Sequence, residues 1–325
     1  MNKFVVFIAF VIFCVLAGVF LFFRYFGPVG RSSEQQVFIV PQNEVEFDIT
    51  TSLKEKKLIK NIEAFRFLLD TFAKDKKILS GGYRIAPNMN SWQVFKIVTD
   101  KPGLVWVTVS GCVRKEQVGE IVAKALGWDQ TKLDQWNILY KTNSPEYFEG
   151  VYYPDTYLIP VNETPPEVAK RFINRFNEMF APYADKYIAA NIRWTTGLKI
   201  ASLIAREAAG QEDARLISGI IWNRLNTDMP LQIDATMQYT LGKKEDGSWW
   251  GGIAISEKQN DSPYNSYLYK GLPPTPICSP NIGYIKAALD PAETSCLFYL
   301  HDSNKQIHCA ETYQKHLENI ENYLN

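Results

Sequence analysis

The sequence predicts an α+β protein with one N-terminal transmembrane helix, a small α+β module and a larger mixed α/β domain with a helical core. Three patterns predict it: an uncharged apolar run, a stretch of alternating strand and helix periodicity, and a long segment dominated by helical periodicity. The chain has 325 residues, 46% of them hydrophobic, so it can bury more than one core. We expect an anchor at 1–25 (span 4–23), a linker at 26–36, the module at 37–110 and the domain at 111–325.

The N-terminal run, Phe4 to Phe23, carries no charge. At about 1.5 Å per residue it is long enough to cross a hydrocarbon layer of roughly 30 Å. A cleaved signal peptide has a shorter apolar core and a small-residue cleavage site, whereas here Phe23 is followed directly by Arg24. We therefore expect an uncleaved single-pass anchor in the cytoplasmic membrane, although the few flanking charges do not decide its orientation.

Residues 37–110 alternate between the two periodicities. The predicted elements are a strand at Val45, Phe47 and Ile49, a helix at Ile62, Phe65, Leu69 and Phe72, a strand at Tyr83 and Ile85, a helix capped by Ser91 and carrying Val94, Phe95 and Val98, and a strand at Val105, Val107 and Val109. This order resembles a LysM-like glycan-binding module, and an inert spacer is the alternative.

The domain begins with helical patterns and then changes character. Glu163–Glu167 opens a helix that carries Val168, Phe172 and Phe176, a second helix follows from about Gly197, and a third spans about Gln211 to Asn226. The four prolines between 273 and 280 instead predict a stiff loop.

Charge and cysteine usage exclude several classes of function. Lys plus Arg and Asp plus Glu each number 35, so the chain lacks the basic excess of a nucleic-acid-binding protein. Cys112, Cys278, Cys296 and Cys309 show no CxxC spacing, so we expect neither zinc nor another cofactor. Cys296 and Cys309 could pair outside the cytoplasm, but the pattern favours four buried thiols.

One carboxylate lies on an apolar helix face. Ile200, Leu203 and Ile204 define the buried stripe of the second helix, and Glu207 is the next position on it. Desolvation raises a carboxyl pKa, and the protonated acid can then donate to a leaving glycosidic oxygen. A buried ion pair of Glu207 with Arg206 or Arg224 is the structural alternative.

Six strings in a fixed order carry a family resemblance. They are EGVYYPDTY (149–157), ASLIARE (201–207), WNRL (222–225), MPLQIDAT (229–236), SPYNSY (262–267) and GLPPTPI (271–277). Together they resemble the YceG-like family of endolytic murein transglycosylases over nearly the whole chain. The resemblance places the family's catalytic glutamate at Glu207. It implies cleavage of the β-1,4 bond after N-acetylmuramic acid without water, leaving 1,6-anhydro ends on nascent peptidoglycan strands.

The other motifs supply residues suited to a glycan groove. The predicted substrate contacts are Gln232, Asp234, Thr236, Tyr264, Asn265 and Tyr267, and the predicted supporting residues are Asn223, Arg224, Glu149, Asp155 and Tyr157. Each could instead serve only local structure, and the architectural role is favoured for the last three. Trp249 and Trp250 fall in a segment that we expect to be a plain exposed loop.

Rival functions remain at this point. The chain could be a non-catalytic membrane-tethered glycan-binding scaffold, or a hydrolase in which Asp234 or Asp155 serves as a second carboxylate. The motifs and the resemblance place the anchored body outside the cytoplasm. Aminodeoxychorismate lyase, a soluble pyridoxal-phosphate activity whose name family members have also carried, fits such a body badly. The expected partners are peptidoglycan strands, the cytoplasmic membrane and cell-wall synthases.

Overall fold

The computed structural model describes residues 3–42, 48–74, 76–139 and 149–324. The helices are α1 (Lys3–Tyr25), α2 (Ile49–Glu55), α3 (Ile62–Phe72), α4 (Ser91–Val98), α5 (Lys115–Leu126), α6 (Gln130–Ile138), α7 (Pro165–Phe180), α8 (Ala184–Ala189), α9 (Trp194–Glu207), α10 (Ala214–Asn226), α11 (Asp234–Leu241), α12 (Ile282–Leu289) and α13 (Tyr313–Tyr323). The strands are β1 (Gln36–Val40), β2 (Gly81–Ile85), β3 (Leu104–Thr108), β4 (Thr156–Pro160), β5 (Phe298–His301) and β6 (Ile307–Ala310). The mixture confirms the predicted α+β class.

The chain divides into two compact units. The first comprises Met1–Val107 with Tyr157–Asn162, and the second comprises Thr108–Thr156 with Glu163–Asn325. The first unit therefore takes β4 from a later part of the chain, because this strand joins the sheet beside β3. Each unit therefore consists of two separate segments of the chain.

The first unit is built on a four-stranded sheet in the order β1-β2-β3-β4. β1 runs antiparallel to β2, with Phe38 opposite Tyr83, and both side chains are buried in the core with Phe65 and Val94 of the helices. The strands predicted at Tyr83–Ile85 and Val105–Val109 correspond to β2 and β3, and the helix predicted at Ile62–Phe72 is α3.

Two local predictions in this unit are corrected. Ile49 begins helix α2 instead of ending a strand, because the Asp48 carboxylate accepts the backbone N–H groups of Thr50 and Thr51 and caps the helix. Val45 and Phe47 lie outside the described residues. The cap of α4 is Asn90, not Ser91, since Asn90 and Gln93 form a reciprocal capping box.

Helix α1 is the predicted apolar helix. Phe4–Tyr25 is long and apolar enough to cross a membrane, and none of it is buried inside the protein, as a membrane anchor would be. The segment after it lies against the module and does not extend as a free tether. Ser91 N donates to Phe26 O at 2.8 Å, and Gly30 N donates to Pro87 O at 2.9 Å.

The second unit has a helical core. Ile200, Leu203 and Ile204 of α9 are fully buried, together with Ile217 of α10 and Ile285 of α12. The predicted helices are present, although α10 begins at Ala214 because residues 208–213 form a turn. The proline segment 271–280 contains neither helix nor strand, as predicted.

The expectation of four buried thiols is wrong. Cys112 pairs with Cys278, and Cys296 pairs with Cys309 across the β5–β6 hairpin. The first pair spans 166 residues in sequence. Only the folded chain brings its Cα atoms to 5.2 Å, which is why sequence spacing gave no sign of it.

Candidate active site

A cleft of about 380 Å³ opens in the second unit where α9, α10 and the β5–β6 hairpin meet. Carboxylates, aromatic rings and hydrogen-bonding side chains share its wall. The lining residues are Glu207, Arg224, Leu231, Gln232, Asp234, Tyr267, Phe298, Tyr299, Tyr313 and His316. Such a mixture of aromatic surface and polar partners suits a sugar ring with several hydroxyls.

Glu207 is the last residue of α9 and lies in this cleft. The helix places it there because Ile200, Leu203 and Ile204 fix the buried face of α9 against the core. Ala208 then adopts an extended conformation and ends the helix. The side chain is half-buried, so the carboxyl group remains within reach of a ligand.

The Glu207 carboxylate is hydrogen-bonded but not ion-paired within the described part of the chain. Tyr299 Oη donates to Glu207 Oε2 at 2.6 Å. Arg206 instead lies over the Trp250 ring, 4.0 Å from its centroid. Arg224 donates to the carbonyl oxygens of Leu297 at 2.6 Å and Leu231 at 2.5 Å. The alternative of a buried salt bridge at Glu207 is therefore not observed.

The surroundings raise the pKa of Glu207. Desolvation by burial is the largest cause, and the negative charge of Asp234 acts in the same direction. The hydrogen bond from Tyr299 opposes the rise, as do the charges of Arg206 and His301. Because its pKa is raised, a larger fraction of Glu207 is protonated near neutral pH than of an exposed glutamate.

Asp234 is the other carboxylate in the cleft, and its environment differs. It is exposed at the start of α11, accepts a hydrogen bond from Tyr267 Oη, and lies 3.1 Å from Lys258 Nζ. Lys258 Nζ also donates to Tyr267 Oη at 2.8 Å. Asp234 is thus exposed and ion-paired with Lys258, whereas Glu207 is half-buried and hydrogen-bonded to Tyr299.

Gln232 and Tyr267 also line the cleft, so with Glu207, Asp234 and Arg224 five of the predicted site residues meet there. Gln232 has a left-handed backbone conformation with a φ of 51°, and its N–H donates to Ser266 O at 2.9 Å. Its side chain is exposed, so it can contact a ligand.

Thr236, Asn265 and Tyr264 lie behind this wall. Thr236 Oγ1 donates to Ile233 O at 2.7 Å and is fully buried. Asn265, also fully buried, donates from Nδ2 to the carbonyl oxygens of Lys258 and Asn260. Tyr264 Oη lies 2.8 Å from Thr275 Oγ1. These placements favour holding the loops over contact with a sugar.

The predicted supporting residues Asn223 and Arg224 connect the walls of the cleft. Asn223 Nδ2 donates to the carbonyl oxygens of Thr294 and Cys296, at 2.7 and 3.1 Å. Arg224 donates to the carbonyl oxygens of Leu297, just before β5, and of Leu231, in the loop before α11, and so links these two segments. Both side chains thus hold β5, which carries Tyr299, against α10.

Glu149, Asp155 and Tyr157 are not among the residues that line the cleft. The buried Glu149 accepts hydrogen bonds from Gly150 N and from Tyr239 Oη, and burial raises its pKa to about 8. Asp155 pairs with Arg175 at 2.7 Å, and Tyr157 lies in β4 of the first unit. Their positions favour the architectural role.

Trp249 and Trp250 differ from the expected exposed loop. Both are half-buried, and their indole N–H groups donate to Glu120 and Gln117 of α5, at 3.2 and 2.8 Å. The hydrogen bonds tie this segment to the body of the second unit. The Trp250 ring also contacts the Arg206 guanidinium group.

Sequence reasoning missed four residues around Glu207. Tyr299 contacts its carboxylate, and His301, two residues further along β5, lies 2.7 Å from Asp213 Oδ2 through Nε2. Asp213 also accepts the N–H groups of Ala209 and Gly210, which lie two and three residues after Glu207. The Tyr-x-His spacing puts both side chains on one face of a strand and was the available signal. The fourth, His316, lines the same cleft.

Comparisons with known proteins identify relatives of this chain. The model of the YceG-like family matches residues 38–322. Proteins named endolytic murein transglycosylase from Bacillus subtilis and Streptococcus pneumoniae are each 26% identical, over 95% and 92% of this chain. The chain spans 91% of the Bacillus protein and 60% of the streptococcal one.

A solved structure shares the fold. It is a YceG-like protein from Listeria monocytogenes with a TM-score of 0.59 and 23% identity, and the match covers 88% of this chain and 99% of that one. Since the family model matches far more than half of the residues, the chain belongs to the YceG-like family.

Proposed function

We propose that this chain is an endolytic lytic transglycosylase of peptidoglycan, with Glu207 as its acid and base. The observation that carries the proposal is a desolvated glutamate in a cleft, hydrogen-bonded to a tyrosine and without an ion pair to any cation that the structure describes. The names of the relatives point to the same reaction class.

The raised pKa of Glu207 suits the first step. The protonated acid donates its proton to the glycosidic oxygen as the bond from C1 of N-acetylmuramic acid breaks. The Tyr299 hydroxyl donates to the carboxylate that results, and so stabilises the charge at the moment it forms.

The carboxylate then acts as base. It removes the proton of the C6 hydroxyl of the same sugar as that oxygen attacks C1, which closes a 1,6-anhydro ring and returns Glu207 to the acid form. No water enters, so one carboxyl group serves both steps. Asp234, Gln232 and Tyr267 line the same cleft and are the proposed sugar contacts.

The cellular location follows from two independent features. Helix α1 fits a single-pass anchor in the cytoplasmic membrane. Two disulfides in the second unit indicate an oxidising compartment, because thiols in the cytoplasm are kept reduced. We therefore place the body on the outer side of the membrane, where nascent glycan strands and cell-wall synthases are the expected partners. The first unit would bind glycan as a LysM-like module.

Replacement of Glu207 tests the assignment directly. Glu207→Gln keeps the shape but cannot exchange the proton, so release of anhydro-ended muropeptides should fall by about 10²–10⁴-fold. Glu212→Gln is the matched control, since Glu212 is exposed in the turn after α9 and does not line the cleft. Full activity of the Glu207 variant would show that the protein acts by another route or serves as a scaffold.

A hydrolase is the second candidate, because Asp234 shares the cleft with Glu207. In a hydrolase the second carboxylate activates water or attacks the sugar, and the products carry reducing ends. Mass spectrometry of the products separates the two reactions, since anhydro ends are lighter by one water molecule. Reducing ends, together with loss of activity in Asp234→Asn, would favour hydrolysis.

A further inference from the structure

A group of lysines lies beside the body-side end of helix α1. Lys54, Lys56, Lys57 and Lys60, here called the juxtamembrane lysine cluster, occupy the end of α2 and the turn after it. The first three are exposed, and Lys60 is half-buried. Glu55 is the acid within this stretch, so the cluster keeps a clear excess of positive charge.

One hydrogen bond attaches the cluster to the anchor, and a second lies within the cluster. Lys60 Nζ donates to the carbonyl oxygen of Phe23 at 3.1 Å, and Lys54 Nζ donates to the carbonyl oxygen of Lys60 at 2.6 Å. Phe23 belongs to the last turn of α1, where helix carbonyls lack intrahelical partners. Lys60 satisfies such a carbonyl and favourably meets the negative end of the helix dipole.

The attachment sets the depth of the cluster. Phe4 to Phe23 spans about 30 Å as a helix, which matches the hydrocarbon thickness and puts Phe23 at its boundary. The headgroup layer adds about 5–8 Å on each side of the hydrocarbon. A group hydrogen-bonded to the Phe23 carbonyl therefore lies at the depth of the lipid phosphates.

We infer that the juxtamembrane lysine cluster is a docking surface for the phosphate groups of anionic phospholipids, which hold the first unit against the bilayer. Lysine ammonium groups are compact donors that suit phosphate oxygens. Basic clusters next to a transmembrane helix attract anionic lipids. The nearby acids do not cancel the cluster, since Asp48 and Glu63 both face Arg66, at 3.7 and 3.2 Å.

The assignment rests on the membrane anchor proposed above but not on the catalytic role of Glu207. The full chain is reconstituted in nanodiscs of phosphatidylcholine alone, or of phosphatidylcholine with about one-third phosphatidylglycerol. A water-soluble acylating reagent then labels lysines, and mass spectrometry follows each site. Lys170 and Lys305 are the internal controls, because both are exposed in the second unit.

Acylation of Lys54, Lys56 and Lys57 should be at least about threefold slower on the anionic discs at low salt, and 0.5 M NaCl should remove the difference by screening. Lys170 and Lys305 should react equally on both discs. Native mass spectrometry should also show that Lys56→Glu/Lys57→Glu loses co-purified phosphatidylglycerol, whereas Lys170→Glu/Lys305→Glu keeps it.

Equal labelling of the cluster on both discs would overturn the inference. Protection by a soluble polyanion such as a teichoic acid, without protection by phosphatidylglycerol, would overturn it as well. Failure of the chain to enter nanodiscs would instead refute the anchor, and product analysis of Glu207→Gln reports on catalysis separately.

Discussion

The contact between Tyr299 and Glu207 predicts how activity depends on pH. Tyr299→Phe removes the hydroxyl that donates to Glu207 Oε2 at 2.6 Å and leaves the ring in place. The hydrogen bond stabilises the carboxylate and so opposes the rise that burial causes in the pKa of Glu207. Without it, that pKa rises further.

The magnitude follows from the strength of a hydrogen bond to a charged group. Such a bond is worth about 1.5–3 kcal/mol, and about 1.4 kcal/mol corresponds to one pH unit. The lower end applies because solvent reaches the cleft around the half-buried Glu207. The first step needs the acid form, so kcat/KM declines as the pH rises through the pKa of Glu207. In Tyr299→Phe we expect this decline about one pH unit higher than in the wild type.

The same substitution should also slow the reaction at its optimum. Proton donation leaves Glu207 as a carboxylate, and loss of about 1.5 kcal/mol of stabilisation lowers the rate by about tenfold. The assay is the release of anhydro-muropeptides from purified glycan strands between pH 5 and 9, measured by liquid chromatography and mass spectrometry. Tyr269→Phe is the matched control, because Tyr269 is exposed and donates to Asp261.

A decline at unchanged or lower pH in Tyr299→Phe would refute the reasoning. Thermal unfolding must show that the variant is folded, so that a lost activity is not mistaken for a shifted profile. An equal shift in Tyr269→Phe would also contradict it, because that hydroxyl does not touch Glu207.

Three further predictions concern stability. Burial raises the pKa of Glu149 from 4.5 to about 8, so between these pH values the folded state holds a proton that the unfolded state releases. The free energy of unfolding should therefore fall by up to about 1.4 kcal/mol for each unit that the pH rises through this range. Urea titrations of Glu149→Gln should show a smaller dependence on pH. Cys296→Ser/Cys309→Ser removes the disulfide that closes a short loop, so the free energy of unfolding should fall by about 3 kcal/mol. Activity should also fall, because β5 carries the tyrosine that contacts Glu207, the proposed catalytic acid. Undiminished stability under non-reducing conditions would argue against the disulfide. Gly219→Ala places a methyl group against the backbone carbonyl of Ala292, which cannot move away as a flexible side chain could. The free energy of unfolding should therefore fall by about 1–3 kcal/mol, as measured by thermal unfolding. An unchanged unfolding midpoint would contradict this packing.

The second unit shows which sequence signals are reliable. The stripe of Ile200, Leu203 and Ile204 predicted both α9 and the unusual position of Glu207, because helical periodicity states which residues share a face. The prolines of 271–280 predicted a segment without helix or strand for an equally local reason. Ile49 shows the limit: its alternation with earlier apolar residues suggested a strand, and the Asp48 cap favoured a helix.

The contacts of the candidate site could not be predicted in the same way. Tyr299 lies 92 residues from Glu207 in sequence, and His301 lies 88 residues from Asp213. Thr236 and Asn265 belong to recognisable motifs, yet the fold buries both behind the cleft wall. Motif membership identified the important segments, but it did not separate residues that face the cleft from residues that hold it.

The sequence alone determined the apolar N-terminal helix, the main helices of the second unit and the position of Glu207 on a buried helix face, since each depends on the order of neighbouring residues. Tertiary structure decided the disulfide partners, the tyrosine that donates to Glu207, and the absence of an ion pair between Glu207 and the described cations. The physical reason is distance along the chain: these contacts join segments 13 to 166 residues apart, and only packing of the core brings them together.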